Sequence, residues 1–485
     1  MLKVQVFEKS QSNKLDASTL IVPLFIGDVA TQLKENSLLS QSELNYIEER
    51  SVKFNPVLDE TKNFYLPDVV ITGLGDQKNR SPEVFRTGIG YCLASLLKSE
   101  VTSLSIDGSS FSAQECAGMV DALILGMYSY KVDANKKTLE TINLYVSAEQ
   151  LSDVQEKVSV SKIQCLAANF TRKIAASPAN IMNPTDISEL AKVLASEEKL
   201  TVEILGEEEM KKQGMNALLA VSSGSSQEAK LIILKYDNSE AKETLAMVGK
   251  ALTFDAGGLS LKPAKTMKDM KFDKSGGAAV LGAMKAIAQL KPKVNVIAVI
   301  PSSENVIGSN AFRPGDILTA CNGVTIEVTD TDAEGRLILC DALAYCVKKY
   351  KPNKMINIAT LTGAVISSLG RGVAAVMGNN DALCNDLINA GADIHERLWQ
   401  MPLYDDHRKL MDSQYADIIN LNESREAGLV QGGVFLREFV GETDWAAIDI
   451  GGTAWNLSGS SYIKDNCASG FGTRLLCEWV LRSSN

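Results

Sequence analysis

Along the first 150 residues, short apolar runs alternate with stretches of helical period. The segments Thr19 to Ile26, Asp68 to Gly73, Val101 to Ile106 and Thr141 to Val146 read as strands, and Val84 to Lys98 and Ala113 to Tyr130 as helices between them. That alternation predicts an α/β domain. From Leu151 to Ala176, the residues Val154, Val158, Ile163, Leu166 and Phe170 form an apolar stripe, and Ser177-Pro178 follows. The pattern predicts a long helix over 151–176 that links two parts of the chain. Beyond Asn183-Pro184 a second alternation begins, with strands expected at Leu231 to Leu234, Thr244 to Val248, Val294 to Ile300 and Met355 to Ile358, and helices at Gly276 to Leu290 and Glu334 to Lys349. The run V-N-V-I-A-V-I is apolar almost throughout, as parallel strands buried on both faces are. The expected organisation is an N-terminal α/β domain over 1–150, the linker helix over 151–176 and a larger domain over 177–485.

Polar residues interrupt this pattern most conspicuously at Val328 to Leu337, V-T-D-T-D-A-E-G-R-L. Asp330, Asp332, Glu334 and Arg336 stand on alternate residues, so an extended backbone would aim all four to one side. Three carboxylates this close need open water or bound cations. Downstream, Leu337, Leu339, Ala342, Leu343 and Cys346 recur at helical spacing, so the acidic run opens a buried helix, where the dipole favours carboxylates. Two further segments sit at strand-to-helix edges, where open α/β sheets place ligands. Gly249 to Pro263 carries Lys250, Asp255 and Lys262 in a glycine-bearing loop, and Met270 to Ala279 carries Asp273 just before a helix. Taken singly, these pieces read as a turn, a helix cap and solvated lysines.

Composition narrows the chemistry. Two histidines, His395 and His407, exclude an H-E-x-x-H zinc site, so a metal here must use carboxylates, lysine or backbone oxygen. The nine cysteines include no C-x-x-C pair and suit reduced thiols in a cytoplasmic protein. A net charge of −10 argues against a general nucleic-acid surface. The N-terminus lacks a signal-peptide layout, and no run approaches the roughly 20 apolar residues of a membrane span. Gly73-Leu-Gly75 lacks the third glycine of a dinucleotide fingerprint.

Together the three polar segments resemble the leucyl aminopeptidase family of cytosolic two-metal peptidases. Thr331-Asp-Ala-Glu-Gly-Arg-Leu337 matches its N-T-D-A-E-G-R-L signature from the second residue onward. Ala359 to Ala364, Trp445 to Ile450 and Ala468 to Gly472 also match. The resemblance implies a small N-terminal α/β domain, a long connecting helix and a larger C-terminal α/β catalytic domain with a mixed, mainly parallel central sheet, assembled as a homohexamer. It implies release of N-terminal residues, leucine and other apolar ones, from peptides, using two divalent ions, manganese or zinc or magnesium. Carried over by motif, Asp255 and Glu334 would bridge the ions, Lys250 and Asp273 would complete one site, and Asp332 the other.

The charges agree with that reading: two dications balance Asp255, Asp273, Asp332 and Glu334, and a ligating Lys250 must be neutral. Two-metal hydrolysis activates a water and polarises the scissile carbonyl. Lys262 would then stabilise the oxyanion, and Arg336 would hold a bicarbonate acting as general base. By the same resemblance Met270, Thr360, Gly363 and Ala454 would line the pocket for the first side chain. Asp330, Ala251 and Gly451 differ from the family pattern. The extra charge of Asp330 suggests a preference for a basic second residue. Two other readings stand beside this one, a non-catalytic structural or DNA-binding paralogue and a two-metal phosphoesterase.

Overall fold

Val, Ile and Leu dominate the strands of both halves, and their order explains where polar chemistry can be held. The structure, a computed structural model, describes residues 2–9, 19–36, 38–39, 43–45, 47, 56–65, 68–98, 101–131, 138–424 and 426–484. The chain divides into two compact units, Met1–Leu166 with Gly459–Lys464, and Ala167–Ser458 with Asp465–Asn485.

In the first unit six strands form one sheet in the order Lys3–Glu8, Thr141–Val146, Ser103–Asp107, Thr19–Leu24, Asp68–Gly73, Thr61–Tyr65. All neighbours run parallel except the last pair. Leu20, Ile21, Ile71, Leu104 and Ile106 are fully buried, which explains the apolar runs. The helix Ala113–Gly126 starts at a capping box in which the Ser112 hydroxyl accepts the Glu115 N–H and Glu115 reaches back to the Ser112 N–H. Residues Gly459–Lys464 join this unit from far along the chain: the Ser461 hydroxyl donates to the Thr87 carbonyl at 2.9 Å, and the Tyr462 hydroxyl lies 3.3 Å from Glu83.

The helix Leu151–Ala176 spans the range expected for the linker, and the two units divide within it, between Leu166 and Ala167. The strand Lys3–Glu8 has no counterpart in the sequence reading. It is short, and none of its side chains is fully buried, although Lys3 to Val6 alternate polar and apolar.

The second unit is built on a nine-stranded sheet. Eight strands run in the order Leu398–Gln400, Ala374–Gly378, Asp444–Asp449, Lys354–Ala359, Thr244–Gly249, Asn295–Asn305, Lys230–Tyr236, Thr201–Leu205. The ninth, Ala251–Asp255, pairs in parallel with the far end of Asn295–Asn305. The middle four strands are mutually parallel, and antiparallel pairs flank them. This is the mixed, mainly parallel α/β sheet the sequence predicts. A small sheet joins Ile317–Thr319 and Thr325–Glu327, just before the acidic motif, to Ile418–Ile419 from later in the chain. The helices Ser275–Leu290 and Glu334–Tyr350 bury nearly all of their first three turns. Among the described residues no helix is long and apolar enough to cross a membrane.

Candidate metal centre

The carboxyl ends of the central parallel strands gather the polar residues, as the topology requires. Lys250 follows Thr244–Gly249, Asp255 ends Ala251–Asp255, Asn305 ends Asn295–Asn305, Thr360 follows Lys354–Ala359, and Asp449 ends Asp444–Asp449. Asp273 arrives on the 3-10 turn Met270–Lys274, and Glu334 is the first residue of Glu334–Tyr350.

The acidic motif is not extended. Thr331 and Asp332 form a turn, in which the Asp332 N–H donates to the Asp330 side chain at 2.8 Å. Such an Asx turn competes with strand geometry and turns the chain into the helix. It groups Asp332 and Glu334 with the other acids. Asp330 is instead held by Asn420, which donates to its carbonyl at 2.6 Å, and it does not line the cavity described below.

Lys250 is buried among three partners: Glu334 Oε1 at 2.8 Å, Asp273 Oδ2 at 2.9 Å and the Thr360 carbonyl at 3.0 Å. Lys262 reaches Asp255 Oδ2 at 2.7 Å and Asp332 Oδ1 at 2.5 Å. Asp255 Oδ1 accepts from the Gly257 N–H and from Asn305 Nδ2, both at 2.9 Å, and the Thr360 hydroxyl donates to Asp273 Oδ1 at 2.7 Å. The loop carrying Lys262 turns through Gly257 and Gly258, whose φ angles of +86° and +62° favour glycine. Thr331 clamps it, donating to the Gly257 carbonyl at 2.6 Å and accepting the Ser260 N–H at 2.8 Å. Gly335 faces Lys250 so closely that a Cβ there would lie 2.6 Å from Nζ.

Four carboxylates thus share two ammonium groups, which leaves the cluster short of positive charge. Burial raises the Asp273 and Asp332 carboxyls above the ordinary carboxylate range, and neighbouring carboxylates add to the rise. Burial opposes the charge on Lys250, but Asp273, Glu334 and Asp255 outweigh it and hold the ammonium above the usual lysine value. Burial lowers Arg336 to about 10, so it stays charged at neutral pH.

The residues fit a cation. Carboxylate oxygens of Asp255, Asp273 and Glu334 lie within 4.8 Å of one another, and all three residues are buried. Glu334 Oε2 is buried with no hydrogen-bond partner, an arrangement that costs free energy unless a cation completes it. Oxygen-rich ligation of this kind suits a hard divalent cation.

A cavity of about 550 Å³ opens beside the cluster. It is lined by Lys250, Asp255, Lys262, Asp273, Asp332 and Glu334, and by Met270, Thr360 and Gly363 from the expected pocket set. Ala454 is buried and off the cavity wall, whereas Gly451 and Trp455 are on it. Arg336 is also buried off the wall, with Nη1 donating to the Asn420 carbonyl at 2.7 Å. Asn305, Asn420 and Asp449 had no role in the sequence reading. Asp449 accepts from the Thr362 hydroxyl at 2.6 Å and from the Leu361 and Gly451 N–H groups at 3.1 and 3.0 Å, fixing the loop that forms one wall. Its place in the Trp445 to Ile450 match was the available signal.

The sequence profile described as "Cytosol aminopeptidase family, catalytic domain" matches residues 169–477. A "Probable cytosol aminopeptidase" of Wolbachia pipientis wMel is 39% identical over 432 residues, 88% of this chain and 85% of the relative. One of Hydrogenovibrio crunogenus is 34% identical over 498 aligned positions, 99% of each chain. One of Desulfotalea psychrophila is 42% identical over 376 residues, 76% of this chain and 74% of the relative. With the fold and the buried acidic cluster, these similarities show that the chain belongs to the cytosol aminopeptidase family of metal-dependent aminopeptidases.

Proposed function

We propose that the protein removes leucine and other apolar residues from the N-termini of peptides at a two-metal centre held by Lys250, Asp255, Asp273, Asp332 and Glu334. The observation that carries this is the convergence of Asp255, Asp273 and Glu334, with Glu334 Oε2 buried and unpartnered. Manganese, zinc or magnesium bound there would activate water and polarise the scissile carbonyl. The chain's own groups do the rest. Lys262 lies on the cavity wall with two carboxylates beside it, placed to stabilise negative charge developing on the carbonyl oxygen. Lys250 would help to hold a cation only as the neutral amine, so the ammonium now paired with Asp273 and Glu334 would have to give up a proton to do so.

Arg336 would hold the bicarbonate that accepts a proton, and Asn420 occupies one of its five donors. Met270, Thr360 and Gly363 would receive the first side chain, together with Gly451 in place of the buried Ala454. The working form is a homohexamer in the cytoplasm, as the family resemblance implies.

The test is hydrolysis of leucine amide by metal-stripped protein, repeated after adding manganese or zinc. Turnover should return with metal in the wild type and stay absent in Glu334→Ala. Metal-independent turnover, or none from the folded, metal-loaded wild type, would overturn the proposal.

A further inference from the structure

The N-terminal unit has a cavity of its own, opened by one residue of its sheet. From Thr19–Leu24 the chain first builds Thr61–Tyr65 and Asp68–Gly73 to one side, then crosses to build Ser103–Asp107 and Thr141–Val146 on the other. The strand order therefore reverses between Thr19–Leu24 and Ser103–Asp107, and open α/β sheets take ligands at the carboxyl ends of such neighbours. These two strands pair only from Thr19 opposite Leu104 to Ile21 opposite Ile106, whereas the pairing of Thr19–Leu24 with Asp68–Gly73 continues to Leu24 opposite Gly73. Leu24 turns its carbonyl away from Ser103–Asp107, accepting the Leu74 N–H at 2.7 Å, so Pro23 turns its backbone toward that strand. Proline has no N–H to continue the ladder, and the strands part. Phe25, the next residue facing that way, has its N–H and carbonyl taken at 2.8 and 2.9 Å by the Gln32 amide. The resulting crevice of about 220 Å³ is lined by Pro23, Leu24 and Phe25, by Asp107 and Phe111, and by Arg80 and Glu35. Arg80 is built in place. Its Nε and Nη2 reach the two oxygens of Glu115 at 2.6 and 2.7 Å, Nη2 also donates to the Ser110 carbonyl at 3.0 Å, and the guanidinium carbon lies 5.8 to 5.9 Å from the ring centroids of Phe25, Phe85 and Phe111. Nη1 has no acceptor among the described residues. Asp107 is held by the Ser109 hydroxyl at 2.7 Å and by Lys9 at 3.3 Å, whereas Glu35, exposed at the end of the helix Val29–Glu35, pairs with no cation among the described residues.

We propose that this crevice binds a free α-amino acid with an apolar side chain, its carboxylate at Arg80 Nη1, its ammonium at Glu35 and its side chain against Leu24, Phe25 and Phe111. An arginine whose fork is fixed from one side offers its remaining edge to a planar anion. Glu115 already neutralises that arginine, so a ligand with net negative charge, such as a phosphate, would meet Glu35 uncompensated, while a zwitterion brings its own balancing ammonium. Volume points the same way, since about 220 Å³ falls below the roughly 300–1,000 Å³ of sites for drug-sized ligands. Leucine as the member to try rests on the aminopeptidase reading, which makes it a product. The crevice stands without that reading.

The test follows hydrogen exchange, segment by segment, in the full-length metal-loaded enzyme with and without L-leucine. Because the readout is local, leucine held at the metal centre does not enter it. Amides of residues 22–36 and 107–112 should exchange more slowly as leucine is added, roughly 10-fold at ten times its Kd. 3-Methylbutylamine, which lacks the carboxylate, and N-acetylleucine, which lacks the charged amine, should protect them far less. Glu35→Gln, at an exposed helix end, and Arg80→Lys, which keeps the charge facing Glu115 but loses the fork, should each weaken leucine binding roughly 10-fold. Both should leave leucine amide turnover unchanged. No protection of these segments up to the solubility of leucine, equal protection by all three compounds, or unchanged protection in both variants overturns the proposal and leaves the aminopeptidase intact. Protection here in a folded, metal-loaded protein that does not cleave leucine amide supports the crevice and overturns the aminopeptidase.

Discussion

Replacing Gly335 by alanine sets two physical effects against each other. Gly335 is the second residue of Glu334–Tyr350, and alanine in a helix is ordinarily better than glycine by about 1 kcal/mol. The added Cβ would lie 2.6 Å from Lys250 Nζ, 2.9 Å from Cε and 3.0 Å from Cδ. Ordinary contact needs about 3.5–4.0 Å, so the lysine tip must move roughly 1 Å. A surface lysine would swing aside at little cost. Lys250 is buried, and its ammonium is held at 2.8 to 3.0 Å by Glu334, Asp273 and the Thr360 carbonyl. A shift of that size takes these contacts out of hydrogen-bond range, and breaking a buried ion pair costs about 3–5 kcal/mol. The expected net effect is destabilisation of the metal-free protein by about 2–4 kcal/mol, with leucine amide turnover reduced about 100-fold by the displaced ligand. Urea unfolding of the metal-free protein and steady-state kinetics of the loaded enzyme read the two effects separately. In a Lys250→Ala background the same glycine substitution should become stabilising, because only the helical gain remains. Wild-type turnover together with raised stability in Gly335→Ala would refute the argument.

Two further predictions concern buried carboxylates. Thr360→Val removes the hydroxyl that donates to Asp273 Oδ1 and should raise the metal concentration needed for half-maximal turnover about 10-fold or more, whereas Thr360→Ser should retain it. Burial pushes the Asp341 carboxyl up to about 7, although the Leu218 and Cys321 N–H groups donate to it at 2.9 and 2.8 Å. A folded value above the unfolded one means that the stability contributed by Asp341 is full below about pH 4 and is lost as pH rises toward 7. Asp341→Asn leaves one N–H without an acceptor and should destabilise the protein. Its deficit relative to wild type in urea unfolding should shrink between pH 4.5 and 6.5, and a constant or growing deficit would contradict the sign.

The strands and helices that build the central sheet were legible because they are buried and therefore apolar at fixed spacing. Thr244–Gly249 and Lys354–Ala359 begin and end close to their expected limits, whereas Asn295–Asn305 begins as expected but runs five residues past the expected end at Ile300, through the polar residues Ser302, Ser303 and Glu304. Lys3–Glu8 was missed although Lys3-Val-Gln-Val6 alternates polar and apolar residues; it is short, and none of its side chains is fully buried. The acidic motif was read as extended from its every-second-residue spacing. A single hydrogen bond from the Asp332 N–H to Asp330 turns it instead, and the helix starting at Glu334 does the rest. Asn305 and Asn420 escaped notice for a different reason. Each acts by joining segments distant in sequence, Asn305 linking Asp255 to Thr331, and Asn420 linking Thr329 to Arg336, and no local pattern records such a bridge.

The short segment Gly459–Lys464 has a consequence for the order in which the protein can be made. The ribosome delivers residues 2–166 early, but the six residues that complete their compact unit emerge only after almost the whole of the other unit has been synthesised. The N-terminal unit is therefore first to begin, yet it is completed only when the final segment of the other unit, Asp465–Asn485, is all that remains to be made. Until then the Thr87 carbonyl lacks its Ser461 donor, and Glu83 lacks the Tyr462 hydroxyl. No single cut in the gene separates the units, and a fragment ending before Gly459 carries an N-terminal half with its last piece missing.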